Sequence, residues 1–289
     1  MISTRRPDVD QELAPGERVG PYTVTSLLGE GGMGFVYQAS VPDGDPVALK
    51  LIKSSLADDE MFIRRFEREA KAAASVQHSH VVSVLDLGID GDKRWMALEL
   101  VRGGSLEDRL AREGSLPLEE AVRVGLEVSS ALDALHGVGL VHRDVKPANI
   151  LMGEDGRTQL TDFGLAKQRD ASVLTQAGQT VGSMDYMAPE QIRGETEVTG
   201  AADVYSLGCV LYECITGATP FADKEGMRIL WAHLQEEPPD PCAKRQDAPS
   251  SLGWAITQAL RKEPSHRPPT ATAYARMVQA GVGSTGGGT

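Results

Sequence analysis

The chain has few cysteines: three in 289 residues, Cys209, Cys214 and Cys242. Their spacing gives neither a metal motif nor a disulfide framework, so a reducing compartment is expected. Cys209 and Cys214 fall in a nearly continuous apolar run and read as small core residues. Positive charge is scarce too: 29 Lys and Arg against 41 Asp and Glu leave a formal net charge of −12. That balance argues against general nucleic-acid binding, which needs a basic face. It leaves room for a nucleotide, whose phosphates a divalent ion and a few placed cations neutralise. No apolar run is long enough to span a bilayer, and "MISTRRPDVDQELAPGERVG" lacks the apolar centre of a secretory leader. A cytoplasmic location is expected, with any membrane attachment left to a segment outside these residues. No internal repeat is visible.

What is present is an ordinary globular composition, 41% hydrophobic and 24% charged, enough for one large domain or two closely packed lobes. From about residue 20 to 100 short strands dominate: "YTVTSLL", "FVYQAS" after a glycine cluster, "PVALKLI", then "HVVSVLDLGI" and "RWMALEL" around "DGDK". One helix, roughly 58–76, interrupts them. Beyond about residue 104 helices take over. "LEEAVRVGLEVSSALDALHG" follows Pro117 and carries Leu118, Val122, Leu126, Leu132 and Leu135 on one face. "AADVYSLGCVLYECITG" is apolar nearly all round and closes on Gly217, the pattern of a buried helix. The expected class is α+β: a flexible extension over 1–19, a strand-rich lobe over 20–100, a junction with a cleft near 99–104, a helical lobe over 104–280, and a flexible glycine-rich tail over 281–289. Trp95, Trp231 and Trp254 read as core or groove aromatics, and "RRFER" as a solvated helix face.

The polar residues gather in few places. In "LGEGGMGFVY" Gly29, Gly31 and Gly34 separate two strands; without Cβ atoms such a loop can bring its N–H groups close to a phosphate. By itself the pattern fits a plain hairpin turn as well. A dinucleotide fold would open a helix there, whereas "FVYQAS" reads as a strand, which removes that reading. Lys50 stands in an apolar strand on the face of Ala48 and Ile52. Alone it fits an edge lysine reaching solvent. The helix "MFIRRFEREAKAAASV", however, puts Glu69 on the stripe of Phe62, Phe66 and Ala73. A buried carboxylate is tolerable when a buried lysine pairs with it, so a Lys50–Glu69 pair is expected. "VHRDVKPANI" packs His142, Arg143, Asp144, Lys146 and Asn149 into ten residues. The Asp155-Gly156 turn then folds the strand ending at Thr161 back on 149–152, bringing Asp162 to Asn149. An amide oxygen and a carboxylate there suit Mg²⁺, which takes hard oxygen ligands and keeps substrate phosphates as others.

In this order the motifs resemble those of the eukaryotic-like serine/threonine protein kinases of bacteria, over roughly residues 20–280. The glycine loop is Gly29-Glu30-Gly31-Gly32-Met33-Gly34, and the strand lysine motif reads Val47-Ala48-Leu49-Lys50, with leucine where isoleucine is usual. His142-Arg143-Asp144 opens a catalytic loop ending at Asn149; Asp162-Phe163-Gly164 and Ala188-Pro189-Glu190 bound an activation segment. The resemblance implies a bilobal protein-kinase fold: a five-stranded antiparallel sheet with one helix, then a mainly helical lobe. It implies ATP and Mg²⁺, or Mn²⁺, as cofactors, and protein substrates bearing serine or threonine. Leu28 and the loop residues 29–34 would cover the nucleotide, with Val36 and Ala48 above the adenine, Leu98 behind it, and backbone groups of Glu99 and Val101 at its edge. Lys50 would contact the phosphates and Glu69 would orient it. Asn149 and Asp162 would hold the metal. Asp144 would take or orient the hydroxyl proton, and Lys146 would neutralise charge on the transferring phosphoryl group.

The resemblance also implies regulation. Thr175 matches the main autophosphorylation position of the bacterial branch, and Arg143 the cation that binds it. Ala177 stands where many relatives carry a second threonine, leaving Thr180 as the substitute. Ser183 would face the substrate. Asp203 would accept bonds from backbone near His142, Phe163 would have a structural part, and Glu190 and Arg267 would form a buried pair. Dimerisation through the strand-rich lobe is a family analogy. Two rivals are a pseudokinase scaffold, for which one of Lys50, Asp144, Asn149 or Asp162 should be missing, and a small-molecule kinase, which usually lacks the Ala-Pro-Glu end of the segment.

Overall fold

Alternating apolar residues build a sheet first. In this computed structural model, which describes residues 12–42, 44–53, 56, 60–163 and 181–283 (181–183 by backbone alone), two units can be distinguished. The first takes in the described residues up to Gln77 together with Val82–Val101; the second takes His78–Val81 and the described residues from Arg102 onward.

In the first unit β1 (Arg18–Val19), β2 (Tyr22–Gly31), β3 (Gly34–Ser40), β4 (Val47–Ile52), β5 (Val84–Asp90) and β6 (Lys93–Glu99) form one antiparallel sheet in the order β1-β2-β3-β4-β6-β5. The five expected strands are there, and two-residue β1 adds an edge. Residues directly opposite one another share a face. One face is therefore written as Tyr37, Leu49 and Ala97, with Ala39, Val47, Leu51 and Trp95 around them, all buried in a single apolar cluster. Leu13 and Val19 belong to that cluster, and the Leu13 N–H donates to the Tyr37 hydroxyl at 2.9 Å. The expected boundary at residue 20 is thus too late: residues 12–19 are too short a run to show alternation, yet they cap the sheet. Residues 1–11 of that expected extension lie outside the described residues. Helix α1 (Glu60–Ala74) follows β4, with Phe62, Ile63, Phe66, Glu69, Ala70 and Ala73 inward.

The second unit is helical apart from a small hairpin of β7 (Ile150–Met152) and β8 (Thr158–Leu160), paired Ile150 to Leu160. Its helices are α2 (Leu106–Glu113), α3 (Leu118–Gly137), α4 (Pro189–Ile192), α5 (Gly200–Thr216), α6 (Met227–Gln235), α7 (Pro241–Lys244), α8 (Ser250–Ala259) and α9 (Ala271–Gly283). Ser105 and Asp108 start α2 with reciprocal backbone bonds at 3.1 and 2.8 Å. Helix α5 is buried on nearly every side, as its composition requires, and stops at Gly217 in the left-handed conformation, φ 77°. Asp133 of α3 accepts from the N–H groups of Ala271 and Thr272 at 3.0 Å each, capping α9 from outside. The expected tail start at 281 also shifts. Gly281 is buried in α9 and its carbonyl accepts from Ser251 Oγ at 2.7 Å, while 284–289 lie outside the described residues. Cys209 and Cys214 are core residues. Trp95 is buried, whereas Trp231 and Trp254 are about 60% exposed: α6 and α8 turn only one face inward, and these tryptophans stand on the other. Among the described residues no helix is long and apolar enough to cross a membrane.

Candidate active site

In the first unit Val36, Ala48, Lys50 and Leu98 occupy the sheet face opposite the apolar cluster. Gly29, Val36, Lys50 and Met96 form one cross-strand row, and Ala48 and Leu98 form the next. Lys50 is 3% exposed and Glu69 of α1 is 7% exposed, so both members of the expected pair are buried in the same unit. Arg68 Nη2 also approaches Glu69 Oε1, at 3.7 Å. Packing explains how Glu69 comes to be buried: Phe62 and Phe66 stack with centroids 6.4 Å apart, and Glu69 continues their stripe one turn on.

The glycine stretch is the β2–β3 hairpin, with Gly32 and Met33 at its tip. It is tied down by Lys53, whose N–H donates to the Met33 carbonyl at 2.9 Å and whose Nζ meets Glu30 at 2.8 Å. Leu28 is an extra residue in a bulge between the Leu27–Tyr37 and Gly29–Val36 pairs and is half exposed. A Cβ on Gly34 would lie 1.7 Å from the Leu51 carbonyl oxygen, so only glycine fits there. Glu99 donates its N–H to the Ser83 carbonyl at 2.9 Å and accepts from Ser83 Oγ at 3.0 Å; Val101 closes the unit, partly buried.

In the second unit the polar cluster lies on irregular backbone. Asp203, fully buried in α5, accepts from the N–H groups of His142 at 2.8 Å and Arg143 at 2.7 Å. It also meets His136 Nε2 of α3 at 2.8 Å. Burial pushes the His136 pKa down, but the Asp203 carboxylate outweighs it and the net shift is upward. Sequence reasoning missed His136; its place six residues before His142, one helix face from Asp133, was the available signal. His142 Nε2 bonds the Thr161 carbonyl at 2.9 Å, and its ring meets the buried Phe163 edge-on at 6.3 Å. Thr161 N–H donates to the Asn149 carbonyl at 3.0 Å, so Asp162 follows directly on a residue bonded to Asn149.

Within this frame Lys146 Nζ lies 3.3 Å from Asp144 Oδ2. Asn149 Nδ2 donates to the Asp144 carbonyl at 2.8 Å and to Asp144 Oδ2 at 3.3 Å. With the amide nitrogen spent on Asp144, Asn149 presents its carbonyl oxygen as an acceptor. An amide oxygen and a carboxylate, as Asn149 and Asp162 carry, are oxygen donors of the kind that suits Mg²⁺. Arg143 and Asp162 are the described non-glycine residues with positive φ, 62° and 60°, and both are in this cluster. Glu190 and Arg267 form the expected buried pair through two bonds of 2.6 and 2.8 Å. Arg267 also donates to the carbonyls of Arg261, Lys262 and Ala201. Tyr186 was not foreseen: its hydroxyl donates to Glu213 at 2.5 Å, and burial raises the pKa of both groups. Thr175 and Thr180 lie outside the described residues. Ser183 falls in the turn Val181–Tyr186, described by backbone alone.

The protein kinase domain model matches residues 22–277. A probable serine/threonine-protein kinase of Clostridium perfringens is 40% identical over 251 residues, 86% of this chain and 36% of that protein. Serine/threonine-protein kinase PknE of Mycobacterium tuberculosis is 40% identical over 262 residues, 90% of this chain and 46% of PknE. The chain thus spans between about a third and a half of these curated relatives. Among solved structures, the PknI kinase domain of M. tuberculosis superimposes with a TM-score of 0.77 at 32% identity. The match covers 94% of this chain and 100% of that one.

Proposed function

We propose, from the premise that the chain belongs to the protein kinase domain family, that it is a serine/threonine protein kinase moving the γ-phosphoryl group of ATP to protein hydroxyls. The observation that carries the reading is the Asp144 carboxylate. Lys146 and Asn149 bond it, on a loop that Asp203 holds from below. A carboxylate fixed this way can accept or orient a hydroxyl proton, and Lys146 beside it can neutralise charge on the phosphoryl group in flight. Because the transition state is loose, placing these groups is most of the catalytic work.

Other residues of the chain take supporting parts in this proposal. Lys50, oriented by Glu69, contacts the phosphates; the N–H groups of residues 30–34 hold them, and Leu28 and Gly29 belong to the same ATP site. Val36, Ala48 and Leu98 contact the adenine. The Glu99 N–H is already bonded to Ser83, so its carbonyl is the group left to meet the adenine edge, with the backbone of Val101 beyond it. Asn149 and Asp162 would hold Mg²⁺, or Mn²⁺, which when bound neutralises phosphate charge. The proposal extends to autophosphorylation at Thr175 or Thr180 with Arg143 as the phosphate partner, to an N-lobe homodimer, and to a cytoplasmic location.

The test is transfer of labelled γ-phosphate to a generic protein and to the chain itself, wild type beside Asp144→Asn and Lys50→Met. Turnover should fall by orders of magnitude in both variants while circular dichroism stays unchanged. Equal transfer by all three proteins would refute the reading. Peptide mapping of the wild-type product then reads out Thr175 and Thr180.

A further inference from the structure

We propose that Gln191 is a positioning residue: its side-chain amide fixes the peptide joining Arg143 to Asp144, and so aims the Asp144 carboxylate. The inference rests on the phosphoryl-transfer reading above. Arg143 has φ 62°, a conformation a bulky residue keeps only where its surroundings over-determine it. Its N–H donates to Asp203 at 2.7 Å, and its carbonyl accepts from Gln191 Nε2 at 3.0 Å. These bonds act on different peptide planes. Asp203 holds the planes that end at the N–H groups of His142 and Arg143; Gln191 holds the plane that runs from the Arg143 carbonyl to the Asp144 N–H. The far edge of that same plane is bonded to His142 Nδ1 at 3.2 Å. With both edges held, the direction in which Asp144 leaves the backbone is set.

Gln191 is itself held. Its Oε1 accepts from the Ala188 N–H at 3.1 Å, and the preceding Glu190 is clamped by Arg267 at 2.6 and 2.8 Å. The side chain is therefore a bridge from the turn opening α4 to the catalytic loop. A shift of residues 188–191 would rotate the peptide on which Asp144 depends. The amide meets both demands at once: a carbonyl needs a donor, and an N–H needs an acceptor. Glutamate keeps the acceptor alone, and methionine keeps the volume with neither.

The experiment measures kcat and KM for ATP in wild type, Gln191→Glu and Gln191→Met, and repeats both substitutions in an Asp144→Asn background. Each variant should lower kcat about tenfold or more with KM for ATP within twofold. In the Asp144→Asn background neither should lower the residual rate further, because the residue acts through that carboxylate. Equal losses in both backgrounds would reduce Gln191 to a general structural role and overturn the proposal, as would kcat within twofold of wild type. If Gln191→Met fails to melt cooperatively, Gln191→Glu, which keeps the bond to Ala188, decides on the same criteria. An inactive wild type overturns the kinase reading and this inference together; an active wild type with indifferent variants overturns this inference alone.

Discussion

In the first unit the buried polar side chains among the described residues are Lys50 and Glu69, both carried on regular elements. In the second, roughly twice as long, they are Ser129, His142, Asn149, Thr158, Glu190, Asp203, Ser206, His233 and Arg267. The first unit aims its candidates by packing: an apolar cluster fixes one sheet face, and the register of β3, β4 and β6 sets what stands on the other. The second unit aims its candidates by bonds from buried polar groups to an irregular backbone, because a loop has no ladder of its own to hold it. Polar pins tolerate the left-handed residues the site needs. Their cost is that each pin, once broken, strands a buried group.

The strongest test of that contrast is Arg267→Met. Its partner Glu190 would remain as a buried, unpaired carboxylate, a loss of about 3–5 kcal/mol. At about 2–4 °C per kcal/mol for a chain of this size, Tm should drop by roughly 6–20 °C in a thermal melt. A drop under about 3 °C would mean that packing alone holds α4, and the two units would no longer differ in kind.

Acid titration sharpens the contrast at a smaller scale. Burial, with help from nearby Lys262, pushes the His233 pKa from 6.5 down to about 3. Between those values the unfolded chain binds a proton that the folded chain refuses. Stability therefore falls as pH falls through this window, by up to about 1.4 kcal/mol per pH unit. His136 works the other way: its raised pKa gives stability that is present below 6.5 and fades as pH rises past the shifted value. His233→Gln can still bond the Tyr205 hydroxyl, now 2.8 Å from His233 Nδ1, and does not titrate. Denaturant melts of this variant from pH 7 to pH 4 should show a flatter acid limb. An unchanged limb would assign the slope to other groups.

How much of this was legible in the sequence follows the same division. Lys50, Glu69 and the long buried helix were readable because regular elements write burial as a period of two or 3.6 residues. Asp203 and the Glu190–Arg267 pair came through the family resemblance, not through periodicity, since Asp203 is 60 residues from Arg143 and Glu190 is 77 from Arg267. Gln191 and Tyr186 left no trace of either kind: each is an ordinary polar residue until its partner is known. The buried end of the first unit at Leu13 was missed because so short a stretch carries no period at all.

The smallest effects come from the glycine hairpin, where packing makes its finest distinction. A Cβ at Gly34 meets the Leu51 carbonyl oxygen at 1.7 Å, so β3 and β4 must part; Gly34→Ala should cost about 1–3 kcal/mol and lower Tm accordingly. A Cβ at Gly31, three residues earlier in the same hairpin, meets nothing within 4 Å. Gly31→Ala should therefore leave stability within about 0.5 kcal/mol of wild type. If the hairpin N–H groups cover phosphates, that same substitution still obstructs their approach, so KM for ATP rises while Tm stays. A stable Gly31→Ala protein with wild-type KM would show that this glycine serves neither packing nor nucleotide.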